Sequence, residues 1–117
     1  MNNREIAESF SQHRFQETFD RLAPEIVWRL VGNSDLHGRD EVIAACRSTL
    51  TENEGTVTTW PRFVSTGDGP VVAVDAIGRY QSSDGVSAVS SCDIYEFTDG
   101  MITLIASYAV EVDAEPR

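Results

Sequence analysis

From Thr56 to Val112 every segment of the chain reads as strand or turn. TVTTWPRFVS, VVAVDAIGRY, VSAVSSCDIYEF and MITLIASYAVEV are rich in β-branched and aromatic residues, and TGDGP, SSDG and TDG separate them. Connections this short join antiparallel neighbours, so these strands form a meander. Its tightest turn is Asp99-Gly100, a strong hairpin signal. Pro61 cannot donate to a ladder and predicts an edge or a bulge in the first strand. In the last strand Ile102, Leu104, Ala106, Tyr108, Val110 and Val112 alternate onto one almost wholly apolar face. The other face carries Met101, Thr103, Ile105, Ser107, Ala109 and Glu111, which are smaller and mixed. Two semi-buried faces imply cover on both, helices on one and a partner subunit on the other. The expectation is a homodimer through the outer face of the sheet.

The chain before Thr56 is mostly helical in pattern. Ile6, Phe10 and His13 share one helical face and Phe15, Phe19 and Leu22 another, with a break near His13-Arg14. Pro24 stops this section. A strand over 26–31 ends in the turn residues GNSD, and a second helix starts after Gly38. Asp40 and Glu41 lie in its first turn, where the helix dipole favours acids. Val42, Ala45, Cys46 and Leu50 recur at helical spacing, and ENEG closes the helix. Residues 113–117 read as a frayed tail. Helices, one strand, a helix and then a meander make an α+β domain, its N-terminal helices packed in a strongly curved antiparallel sheet. At 117 residues, positions 1–117 form a single domain.

Nineteen acidic residues against nine basic ones give a formal charge of −10 and a pI near 4.4. That balance repels phosphate backbones and anionic bilayers, so neither nucleic acid nor a membrane is expected as a partner. No apolar run approaches the roughly 20 residues that span a bilayer. MNNREIAESF has no apolar stretch of signal-peptide type, and a cytoplasmic location is the expectation. Cys46 and Cys92 have no metal-ligand spacing, and His13 and His37 belong to no HExxH-like signature. Neither a metal nor an organic cofactor is expected.

IVWRLVG, LHGRDEVIAAC and CDIYEFTDGMITLIASY resemble the nuclear transport factor 2-like superfamily, in its SnoaL-like and ketosteroid isomerase-like branch. The last stretch is similar to that branch's Asp-x-x-x-Phe, turn-Gly, Ile-x-x-Ile pattern, and the resemblance runs roughly from Ile6 to Val112. It implies a cystatin-like cone, in which a curved sheet wraps round helices and leaves an apolar pocket at the open end, and a homodimer. Ketosteroid isomerases pair an Asp base with an oxyanion hole made of a Tyr and a protonated Asp. By that resemblance Asp93 takes the place of the oxyanion-hole acid, Arg29 that of the base, and Phe10 lies near that of the tyrosine. An arginine stays protonated and cannot abstract a proton, and phenylalanine has no hydroxyl. Steroid isomerisation by the known route is therefore not implied. The final strand also resembles limonene-1,2-epoxide hydrolase, with Ser107 where that family has one acid. Asp75 and Arg79, on one strand face, would have to supply the other acid and the arginine.

Strand alternation puts Ser91 and Tyr95 on the face of Asp93, and Ser107 and Ala109 of the neighbouring strand join them. Asp93 is either a desolvated, neutral acid or a residue satisfied by a neighbouring hydroxyl or by Arg29, and an ion pair with Arg29 excludes the neutral acid. His13, at the pocket mouth, is an outside candidate for a base. Trp28 and Trp60 read as core or dimer-interface aromatics. Two functions follow from this pattern. One is binding, with isomerisation, cyclisation or hydration, of a small apolar molecule bearing a carbonyl or epoxide oxygen. There Asp93 would stabilise charge on the oxygen with Arg29 or Tyr95 assisting, and Phe10, His13, Asp75, Ser91, Ser107 and Ala109 would line the ligand. The other is a non-catalytic dimeric ligand-binding or scaffold domain with Arg29 and Asp93 locked together.

Overall fold

A computed structural model describes residues 1–114. Helix α1 (Asn3–Ser11) is nucleated by a capping box. The Asn2 side chain accepts the Glu5 N–H at 2.8 Å, and the Glu5 carboxylate accepts the Asn2 N–H at 3.0 Å. Ile6, Ala7 and Phe10 form its buried face. The break falls at His13, as the sequence predicts. Its φ of 64° is left-handed, and a 3-10 helix (Phe15–Arg21) follows.

Strand β1 (Leu22–Leu30) begins before the expected position and contains Pro24. A register shift between Leu22 and Val27 leaves the proline outside the regular ladder. Strand β2 (Asp35–His37) was not legible in the sequence, because three residues are too few to show an alternation. Gly38, at φ 89°, leads into α2 (Arg39–Glu52), whose Val42 and Cys46 are buried. The meander is β3 (Val57–Thr66), β4 (Val71–Ser82), β5 (Gly85–Thr98) and β6 (Met101–Val112). The six strands lie in the order β2-β1-β6-β5-β4-β3. Pro61 satisfies both of its expectations, since β3 is an edge and its register shifts between Thr59 and Arg62. Asp99 and Gly100, at φ 52° and 76°, form the two-residue turn joining β5 to β6.

Two expectations need correction. The sheet is not wholly antiparallel: β1 runs parallel to β6, because most of the chain separates them and no hairpin dictates their sense. Nor does β6 keep one alternation throughout. Its register against β5 shifts where Phe97 pairs with Ile102 and Glu96 with Leu104, so one extra residue, Thr103, is inserted. Ile102 therefore shares the inner face with Ile105 and not with Leu104; Ile102 and Ile105 are both fully buried. The tail expected over 113–117 lies outside the described residues from 115 on.

The helices close over the concave side of the sheet, and the core there includes Ile6, Phe10, Leu22, Ile26, Val42, Val72, Val74, Tyr95 and Ile102. Along β5, Phe97 and Tyr95 fill this core near the β5–β6 turn. Farther back, Asp93, Ser91 and Val89 on the same face border open space. Packing stops where β5 reaches Asp93.

Candidate functional site

That space is a cavity of about 310 Å³. Its wall is mostly aromatic and apolar, with Phe10 and Phe15 from the N-terminal helices, Trp28 from β1, Trp60 from β3 and Tyr80 from β4. The polar side chains reaching it are few: Ser11, His13, Thr49, Ser91, Asp93 and Ser107. Among the described residues no arginine lines it, and the chain has no lysine.

Asp93 sits in a directed hydrogen-bond network. Ser11 Oγ donates to Asp93 Oδ2 at 2.8 Å. The Ser11 oxygen also lies 2.6 Å from Tyr95 Oη, and with its one proton given to Asp93 the tyrosine must be the donor there. Ser107, the cross-strand partner of Asp93, also hydrogen-bonds the carboxyl and receives the Trp28 indole N–H at 2.9 Å. Every proton in the network points inward toward Asp93. Burial pushes its carboxyl above the ordinary range, and the bonds from Ser107 and Ser11 only partly reverse that. The ion pairs Arg14–Glu17 and Arg62–Asp75 lie elsewhere. Burial and the nearby Asp93 charge also raise Tyr80, and they hold Tyr95 well above the ordinary phenol range.

His13 is pressed among aromatic rings, stacked on Phe15 at 5.1 Å and Tyr80 at 6.1 Å, with Trp60 edge-on at 5.5 Å. Burial lowers its pKa, so at neutral pH it is an uncharged imidazole. Its left-handed backbone is uncommon for a residue with a Cβ, and the stacking helps to hold it there.

Phe10, His13, Ser91, Asp93, Ser107 and Ala109 line one cavity. Tyr95 faces inward but is fully buried beneath the floor, so it touches Asp93 only through Ser11. Arg29 and Asp75 do not reach the cavity. Arg29 pairs in register with Ala106 and is exposed, whereas its neighbour Trp28 points inward. One residue of slip flips a strand side chain to the other face, and that slip separates the sequence match from the structure. The Arg29–Asp93 ion pair therefore cannot form. Asp75 lies on the outer face, bound by Arg62 Nη2 at 2.9 Å and Nε at 3.1 Å, not by Arg79. Ser11 was missed, although Ile6, Ala7, Phe10 and Ser11 make one helical stripe on which a serine stands out. Trp28 and Trp60, expected as core or dimer-interface aromatics, pack against the core and also wall the cavity. Among the described residues no cluster of metal-ligating side chains forms, and no helix is long and apolar enough to cross a membrane.

A curved sheet closed over helices with one acid at the floor defines a cone-shaped pocket fold. The SnoaL-like domain model matches residues 3–105, and the chain belongs to that family. It is similar to a nuclear transport factor 2-like protein of unknown function from Cytophaga hutchinsonii, at 30% identity and TM-score 0.77 over 91% of this chain and 94% of the other. It also shares its fold with an LEH-like epoxide hydrolase from M. tuberculosis, at 22% identity and TM-score 0.67 over 92% and 82% of the two chains. A nuclear transport factor 2-like protein from Burkholderia xenovorans matches at 14% identity and TM-score 0.72 over 92% and 88%. No curated protein matches the chain.

Proposed function

We propose that the chain binds a small, mostly apolar, uncharged molecule through one carbonyl or epoxide oxygen, and that Asp93 in its protonated form hydrogen-bonds that oxygen. The observation that carries this reading is a carboxyl held among hydroxyls at the floor of an aromatic cavity, with no arginine or lysine on the lining. A carboxylic acid can accept from Ser11 and still donate its own proton to a ligand. His13, uncharged and bordering the same space, supplies a base. For an enolisable ketone, His13 takes a proton from the carbon beside the carbonyl and returns it, while Asp93 keeps its own proton and steadies the enolate oxygen.

Deuterium uptake by 2-tetralone in D₂O, followed by NMR, tests this. The rate needs a protonated Asp93 and a neutral His13. It falls as pH rises through the raised Asp93 pKa, and falls again as pH drops through the lowered His13 pKa. Asp93→Asn keeps a donor and is expected to lose roughly tenfold, whereas Asp93→Leu loses about 10²–10³-fold. Uptake that ignores both substitutions removes Asp93 from the chemistry. A second reading, binding without turnover, is favoured by one detail: the Ser11 and Ser107 bonds both support a carboxylate. Trp28 and Trp60, the only tryptophans, both line the cavity, so their fluorescence reports occupancy directly. Quenching by 2-tetralone without deuterium uptake selects that reading.

The chain's partner in this reading is a second copy of itself. Ser107 and Ala109 face the cavity, so Tyr108 and Val110 face outward, where they are 48% and 66% exposed. Val64 is exposed on the same outer face of the sheet. An apolar sheet face of this kind is what a homodimer covers.

A further inference from the structure

The inner cavity has a neighbour. It leads into an outer chamber of about 500 Å³, and His13, Thr49, Tyr80 and Val89 line both spaces. The outer chamber lies between the C-terminal end of α2 and the β4–β5 hairpin, and its lining is more polar than the inner one, although Val86 and Val89 also border it. Asn53, Thr56, Ser82 and Ser87 give it a wall of uncharged donors and acceptors. Among the described residues its charged lining residue is Asp84, and no basic side chain but the burial-neutralised His13 lines it.

We propose that the ligand has two parts: the apolar head seated against Asp93, and an uncharged polyhydroxylated tail, of the glycoside or polyol kind, held in the outer chamber. The proposal rests on the reading of the inner site given above. An anionic tail would meet Asp84, the negative end of the α2 dipole and a chain of net charge −10, with no cation among the described lining residues to offset them. A purely apolar tail would cover the hydroxyls and Asn53 without replacing their hydrogen bonds to water. An ammonium tail would gain from that same negative field, but it can only donate, so the hydroxyl and amide donors of the lining would go unmatched, and its one carboxylate partner is exposed, where ion pairs contribute little. A polyol matches the lining in kind, since each of its hydroxyls both donates and accepts.

Two matched pairs of probes test this by tryptophan quenching. The first pair is 6-hydroxy-2-tetralone and its β-glucoside. The second is 5,6,7,8-tetrahydro-2-naphthol and its β-glucoside, which lack the carbonyl. The glucoside is expected to bind at least about tenfold more tightly than its parent in both pairs. In Asn53→Ala and Ser87→Ala proteins that ratio is expected to shrink toward one. A ratio near one in the unaltered protein overturns the proposal, as does a larger gain from an aminoethyl or carboxymethyl ether in place of the sugar. Tail gain in both pairs without any preference for the ketone leaves this proposal standing and removes the Asp93–carbonyl reading. If no probe of either pair binds, both fall.

Discussion

Taking the Asp93 carboxyl out of water disfavours its charged form by more than two serine hydroxyls restore, and the imbalance has a thermodynamic signature. At a pH below about 3.9 the side chain is protonated in folded and unfolded chains alike, and it costs the fold nothing. As pH rises the unfolded chain ionises first. Stability therefore falls from the unfolded pKa up through the raised folded one, and the full cost persists above it. Asp93→Asn removes this titration while keeping the shape of the side chain. The variant is expected to match the natural chain in acid and to melt higher at neutral pH, each unit of displaced pKa corresponding to about 1.4 kcal/mol. Calorimetry at several pH values gives the difference directly. A variant that melts lower at neutral pH means the carboxylate is stabilised overall, and Asp93 then acts as an acceptor and not as an acid. A fold that carries such a cost at one position is trading stability for a chemical group.

Gly78 of strand β4 shapes the cavity without lining it. Gly78 faces inward beneath two rings, and a Cβ there would lie 2.7 Å from Tyr80 Oη and 3.0 Å from Trp60 Cζ3. The backbone would accept alanine; the space would not. Gly78→Ala is expected to push Tyr80 and Trp60 toward the cavity mouth, weakening 2-tetralone quenching about tenfold at a stability cost of roughly 1–3 kcal/mol. Unchanged binding in a variant destabilised by that much would show that the rings relax away from the cavity. Gly78 also marks the boundary of what the sequence discloses. Local signals were legible: the break at His13, the helix after Gly38, the Asp99-Gly100 turn and the Pro61 irregularity each depend on a few adjacent residues. Facing was legible only between bulges. Ser91, Asp93, Ser107 and Ala109 lie on uninterrupted stretches of β5 and β6, and alternation places them together. Arg29 and Ile102 lie beside register shifts, where alternation restarts, and each falls on the face opposite to the one read from the sequence.

At the scale of the molecule, the outer face of the sheet and the net charge act against each other, and their balance is measurable. Tyr108 and Val110 present apolar surface on β6, an inner strand of the sheet that lies between β1 and β5. Beside them Asp75 is already held by Arg62 of the same chain, so that acid does not depend on a partner for its counter-ion. Burial of apolar area thus drives association of two copies, while each carries a formal charge of −10 and repels the other. Screening weakens the repulsion and leaves the apolar term nearly untouched. The dimer is therefore expected to tighten as salt rises, the reverse of an interface built on ion pairs. Sedimentation equilibrium should give twice the 12.9 kDa chain mass, with a dissociation constant that falls between low and moderate salt. Val110→Asp adds a charge to each copy at the centre of the face and should sediment as a single chain. Because Val110 points away from the cavity, its tryptophan quenching by 2-tetralone should match that of the unaltered protein. A single-chain mass for the natural sequence at every salt concentration would leave the outer face uncovered, and a dimer that Val110→Asp does not disturb would move the interface elsewhere on the sheet.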